Sequence, residues 1–199
     1  RSIDGQGPCP YVMVINNMIY RTLNCTTCQI DFGSRGSGNV PLRASVQGNH
    51  FVLAPGLSSI NTINVRADSA SSFQLFVKDN TGPRMTSDPW AVVYNARDSS
   101  IKASSPPIWA QGVVPMPASA VETYVLSNAG ARPLDRDSVD TRVVSQVRNR
   151  TGGLINSPSQ VGGYPNLAVN FRALTLPADP NAVTASGYTN LELWLHEMA

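Results

Sequence analysis

The sequence predicts an all-β solenoid over its first half, with a C-terminal extended and helical tail packed on it. Three observations predict it. First, Val12 to Tyr20 reads Val-Met-Val-Ile-Asn-Asn-Met-Ile-Tyr, an apolar run that reaches an Asn and is followed by a second apolar run. Second, the pattern returns in shortened form as Val46-Gln-Gly-Asn49-His-Phe-Val and as Phe76-Val-Lys-Asp-Asn80. Third, Asn17, Asn49 and Asn80 lie 32 and 31 residues apart, a period at which one turn of chain stacks on the next. Asn suits such a corner because it tolerates left-handed backbone and its amide can bond to an identical amide in the neighbouring repeat. Three unrelated hairpin turns in a sandwich are the competing reading.

Composition narrows the class. The 199 residues can bury a sizeable core. Charged residues are 14% while Gly and Pro number 15 each, the balance of a turn-rich chain and not of a helical bundle or a disordered tail. A net charge of +2 without a Lys/Arg run gives no footprint for nucleic acid, and no apolar stretch approaches a membrane span. Of the 15 basic residues only Lys78 and Lys102 are lysines. The excess of planar Arg forks is compatible with a carboxylate-bearing ligand.

In chain order, Arg1 stands just before a strong strand, as though the fold were entered partway, so a preceding segment or a second chain is expected to complete it. Cys9, Cys25 and Cys28 follow. Cys25-Thr-Thr-Cys28 has knuckle spacing, but His50 and His196 are isolated and no second pair completes four zinc ligands. A disulfide from Cys9 to one of the pair, or between Cys25 and Cys28, suits an exported protein. Asn24 and Asn149 head glycosylation sequons. Asp31 to Asn39 has the glycines of a phosphate loop without its Lys-Ser/Thr ending, and reads as a plain loop.

Strands are expected at Val40–Val46, Thr62–Arg66 and Phe73–Lys78, the second alternating as if one face met solvent. Pro83 to Trp90 ends the regular region, and Ser105 to Pro117 is extended covering chain. Residues 1–100 thus form the repeating body and 101–199 the covering segment and helices. One helix is expected from Ala118 to Gly130 with Val121, Tyr124, Val125 and Leu126 inward. A second runs from Asp137 to Arg148 with Val139, Val143, Val144 and Val147 inward and Asp137 or Ser138 as cap. Asp135, Asp137 and Asp140 read as helix-start acids in preference to a calcium site. Gly187 to His196 is a short terminal helix.

Five motifs occur in order: Thr86-Ser-Asp-Pro-Trp90, Val125-Leu-Ser-Asn-Ala-Gly-Ala131, Arg136-Asp-Ser-Val-Asp-Thr-Arg-Val-Val144, Val161-Gly-Gly-Tyr-Pro165 and Gly187-Tyr-Thr-Asn-Leu-Glu192. Together they resemble the carboxyl-terminal half of extracellular pectate lyases of polysaccharide lyase family one, in a bacterial-type branch. The segment ending at Tyr20 resembles a late turn of that family's right-handed parallel β-helix, so the resemblance makes the expected solenoid a partial one of that kind.

The resemblance implies calcium-dependent β-elimination of polygalacturonate, a secreted protein and a role in pectin degradation. Calcium held by Asp/Glu oxygens would acidify the C5 proton, and a groove Arg would remove it. In the family that Arg lies in an Arg-x-Pro-Arg stretch before the Asn-Asn turn. Arg1 is therefore the catalytic candidate, as the base or as the neighbouring substrate-binding Arg. Arg21, Arg35 and Arg66 are candidate substrate-binding cations, against a reading as solvated strand-end arginines. Asp4, Asp31, Asp68, Asp79, Asp88 and Asp98 are too scattered in sequence to match calcium ligands, which are expected outside this chain. The alternative function is a non-catalytic β-helix that binds acidic glycans or assembles end to end.

Overall fold

The computed structural model describes residues 3–4, 11–21, 29–32, 42–57, 62–65, 73–83, 85–94, 99–165 and 175–198. The chain falls into two compact units, residues 1–126 with 146–154 and residues 127–145 with 155–199.

The described residues of the first unit form nine short strands: β1 (Ile3–Asp4), β2 (Tyr11–Ile15), β3 (Met18–Arg21), β4 (Ile30–Phe32), β5 (Arg43–Gln47), β6 (His50–Leu53), β7 (Ile63–Val65), β8 (Gln74–Lys78) and β9 (Val93–Tyr94). They form three sheets, in the orders β1-β4-β7-β9, β2-β5-β8 and β3-β6. Every strand pairing is parallel, with Val14 beside Val46 and Val46 beside Val77. Alternate residues point to one core, which gathers Val14, Ile30, Phe32, Val46, Ile63, Leu75 and Val77. Phe32 and Phe73 meet there with ring centroids 5.8 Å apart, within the range of favourable tilted aromatic contact.

The expected fold class, an all-β solenoid in the form of a partial right-handed parallel β-helix, is corrected by this architecture. The described residues make short parallel strands in three separate small sheets, together with three α-helices, and not a solenoid. The physical reason lies in how little of the chain the repeat controls. Its three Asn corners specify parallel neighbours locally, but among the described residues no strand exceeds five residues. Beyond Asn80, prolines at 83 and 89 remove ladder donors, and helices take over.

The strand around Thr62 does not alternate between core and solvent. Thr62, Ile63, Asn64 and Val65 are all buried, as residues of a parallel strand flanked on both sides and covered on both faces must be. Arg66 lies outside the described residues.

The helices are α1 (Ala118–Asn128), α2 (Ser138–Arg148) and α3 (Asn190–Met198). In α1, Val121 and Leu126 are buried as expected, whereas Tyr124 is 56% exposed. In α2, Val144 is buried but Val143 is exposed. Both departures come from a narrower buried stripe than the apolar residues suggest. Asp137 caps α2, accepting from the amides of Val139 at 2.9 Å and Asp140 at 2.8 Å. Asp135 pairs with Arg132. These acids serve helix starts and turns. No helix among the described residues is long and apolar enough to cross a membrane.

Candidate functional site

The corners between the three-stranded and two-stranded sheets organise the surroundings of the best-defined polar cluster. At each corner the left-handed residue is the one before the repeated Asn: Asn16 (φ 53°), Gly48 (φ 67°) and Asp79 (φ 47°). The expectation that Asn17, Asn49 and Asn80 supply the left-handed backbone is thereby moved by one residue. Those three asparagines instead form a ladder. Asn49 Oδ1 accepts from the Asn17 amide at 2.9 Å and its side-chain amide at 3.2 Å, and Asn80 Oδ1 accepts from the corresponding groups of Asn49 at 3.0 and 2.9 Å. Asn49 Nδ2 also donates to Val14 O at 2.8 Å, so both ends of a wholly buried amide are used.

The left-handed residues hold the covering chain. Asn16 donates to Met116 O at 2.8 Å and accepts from Met116 N at 2.9 Å. Asp79 Oδ2 accepts from Ala118 N at 3.1 Å, placing a carboxylate at the amino end of α1, where the helix dipole favours it.

With α1 so fixed, its second turn brings Glu122 to His50, the first residue of β6. His50 Nε2 lies 3.2 Å from Glu122 Oε2, and His50 Nδ1 lies 2.6 Å from Thr81 Oγ1. Arg150 completes the line, its Nη2 lying 2.7 Å from Glu122 Oε1 and 2.8 Å from Oε2. Its Nη1 donates to Val147 O at 2.7 Å. Beside it the Tyr20 hydroxyl donates to Thr151 O at 2.9 Å. Hydroxyl, imidazole, carboxylate and guanidinium thus follow one another in hydrogen-bond reach. With Nε2–H donating to Glu122, Nδ1 accepts the Thr81 proton. The arrangement can relay a proton.

Burial pushes the His50 imidazole below its ordinary value of 6.5 and the Arg150 charge adds to that, while Glu122 opposes it. The Tyr20 hydroxyl is pushed up from 10.0 by burial, with Arg150 acting against the shift. Both ring nitrogens of His50 are engaged, and its side chain is only 22% exposed. The cluster fastens α1 and residues 150–151 over the β3–β6 sheet more than it opens toward a ligand.

Of the arginines singled out in the sequence, Arg21 ends β3, its backbone in register with Leu53. Arg1, Arg35 and Arg66 lie outside the described residues, as do Cys9, Cys25 and Cys28. Asp31 and Asn64, far apart in sequence, are joined on adjacent strands by an amide-to-carboxylate bond of 3.0 Å. Among the described residues no group of three or more His, Cys, Asp or Glu is placed to hold a metal ion, so these residues do not fit a calcium centre. Sequence reasoning set His50 aside as isolated and passed over Thr81, Glu122 and Arg150. The one available signal was the position of His50 directly after a corner Asn. Comparison with family models, curated proteins and solved structures finds no match to this chain.

Proposed function

We propose that the chain is the carboxyl-terminal half of a secreted polysaccharide lyase of the pectate lyase kind, acting on polygalacturonate by β-elimination. The observation that carries the reading is the order of the five motifs, from Thr86-Ser-Asp-Pro-Trp90 to Gly187-Tyr-Thr-Asn-Leu-Glu192. Two of these motifs interlock. Arg136 of the third motif donates to Ala129 O at 2.8 Å and Ser127 O at 2.6 Å of the second, and Asp140 accepts from Ala131 N at 3.0 Å. In the first motif Asp88 Oδ1 accepts from Trp90 N at 2.9 Å. These residues therefore act as structural signatures, and the chemistry is assigned elsewhere.

In this reading Arg1 is the catalytic candidate or its substrate-binding neighbour, and Arg21, Arg35 and Arg66 are substrate cations. A guanidinium binds a uronate carboxylate in a planar two-pronged geometry and keeps its charge in water. Calcium, when bound, would neutralise the carboxylate and acidify the proton at C5. In this reading its ligands lie outside this chain.

The test is product chemistry. The full-length gene product is incubated with polygalacturonate and calcium, and the oligosaccharides are analysed by mass spectrometry. Elimination leaves a non-reducing end lighter by one water than hydrolysis does. Retention on polygalacturonate without any cleavage would favour the non-catalytic glycan-binding alternative.

A further inference from the structure

We propose that Tyr11, Arg43 and Gln74 form a subsite for a carboxylate-bearing pyranoside, a galacturonate unit of an acidic polysaccharide. The three residues stand in register on adjacent parallel strands, Tyr11 of β2 beside Arg43 of β5 and Arg43 beside Gln74 of β8. Ala44, Val46, Leu75 and Val77 point into the core, so by strand alternation Arg43 and Gln74 project from the opposite face. All three are exposed, Tyr11 at 56%.

The Arg43 guanidinium carbon lies 5.9 Å from the centre of the Tyr11 ring. Held over an aromatic face, a guanidinium loses little freedom when it binds, and its donor edge stays available. The ion pairs among the described residues do not include Arg43, so no protein carboxylate there occupies that edge. Among the described residues its charge has no acidic partner, and it is complementary to a uronate.

Parallel strands set neighbouring side chains about 4.8 Å apart. The row is thus a short flat platform that offers a ring face, a carboxylate fork and an amide in succession. Tyr11 supplies the apolar surface on which a sugar ring stacks, Arg43 takes the carboxylate, and the Gln74 amide can donate to and accept from hydroxyls. Lys78 is exposed on the same face of β8 and adds positive charge toward its far end.

The identity of the ligand rests on the polygalacturonate reading, whereas the place of the subsite rests on the row itself. The experiment measures binding of trigalacturonate, its methyl ester and neutral galactotriose to the full chain by calorimetry. It compares the wild type with Arg43→Ala, Arg43→Lys and Tyr11→Ala, after thermal melting has verified that each variant folds. The wild type is expected to prefer the free acid. Arg43→Ala should weaken trigalacturonate binding about tenfold, Arg43→Lys should weaken it less because it keeps the charge but not the fork, and Tyr11→Ala should weaken all three saccharides.

Unchanged trigalacturonate binding by folded Arg43→Ala, equal affinity for acid and ester, or no binding by the wild type overturns the subsite. Elimination of polygalacturonate by a wild type whose binding ignores Arg43 leaves the lyase reading standing without this subsite. Arg43-dependent binding without elimination does the reverse.

Discussion

A β-carbon on Gly130 would lie 2.6 Å from Oδ2 of Asp140, the oxygen that accepts the Ala131 amide. Gly130 also sits at φ 103°, backbone that an L side chain rarely adopts. Close approach and backbone conformation thus require glycine at the end of α1 for the same purpose, to let the chain turn back onto the start of α2. Gly130→Ala is expected to destabilise residues 127–145 by about 1–3 kcal/mol. Hydrogen exchange of the α2 amides provides the measurement. Protection equal to wild type would show that the turn tolerates a side chain.

The Asn ladder carries a larger stake because its amides are buried. Asn49→Ala removes the Asn49 side chain from the Asn17 amide and the Val14 carbonyl, and leaves Asn80 Oδ1 with the Asn49 backbone amide alone. The expected cost is about 2–4 kcal/mol in denaturant unfolding. Asn49→Asp keeps an acceptor for Asn17 but sets a carboxylate against Asn80 Oδ1, and it should cost at least as much at neutral pH. A loss below half a kcal/mol for both variants would mean that the ladder is ornamental.

Acid should loosen the hold on α1. His50 has a folded value held below 6.5, so at pH values under 6.5 the unfolded chain binds a proton more readily than the folded one. The contribution of this residue is therefore intact above pH 6.5 and is lost as pH falls below it. The ratio of folded to unfolded protein should fall more steeply between pH 7 and 5.5 in wild type than in His50→Gln, followed by urea denaturation at each pH. Parallel slopes for the two proteins would contradict this assignment.

At the other end of the chain, Thr189 and Glu192 cap α3 reciprocally. Glu192 Oε2 accepts from the Thr189 amide at 2.7 Å, and Thr189 Oγ1 accepts from the Glu192 amide at 3.1 Å. The Thr189 amide and hydroxyl hold the Glu192 carboxyl below its ordinary value of 4.5. Thr189→Ala should reduce α3 stability by about 1 kcal/mol. Amide protection across residues 191–197 is the readout, and no change there would remove the cap from the account.

What the sequence disclosed follows from how local each cause is. The corners after Ile15, Gln47 and Lys78 were legible because identical residues recur at a near-constant spacing, and the amide stacking follows from that identity. Which corner residue turns left-handed was not, since Asn16 and Asn17 are chemically the same and only the backbone separates them. Three recurrences also do not continue themselves, and the predicted solenoid gave way to small sheets and helices where prolines end the pattern. The second helix was legible from its apolar spacing and from Asp137 or Ser138 as cap, of which Asp137 holds the first amides. The failure of Tyr124 and Val143 to face inward reflects packing that no local pattern encodes. The His50–Glu122–Arg150 line joins residues distant in sequence, and only the place of His50 directly after a corner Asn hints at it. The Tyr11–Arg43–Gln74 row became visible only with strand register.

The most direct test of the proposed lyase activity is ultraviolet absorbance of polygalacturonate incubated with calcium and the full-length gene product. Elimination creates a conjugated unsaturated uronate that hydrolysis cannot form. A steady rise in the unsaturated-uronate band that stops when calcium is chelated is the expected result. A flat trace from the full-length gene product at high concentration, with calcium and unesterified substrate present, would contradict it.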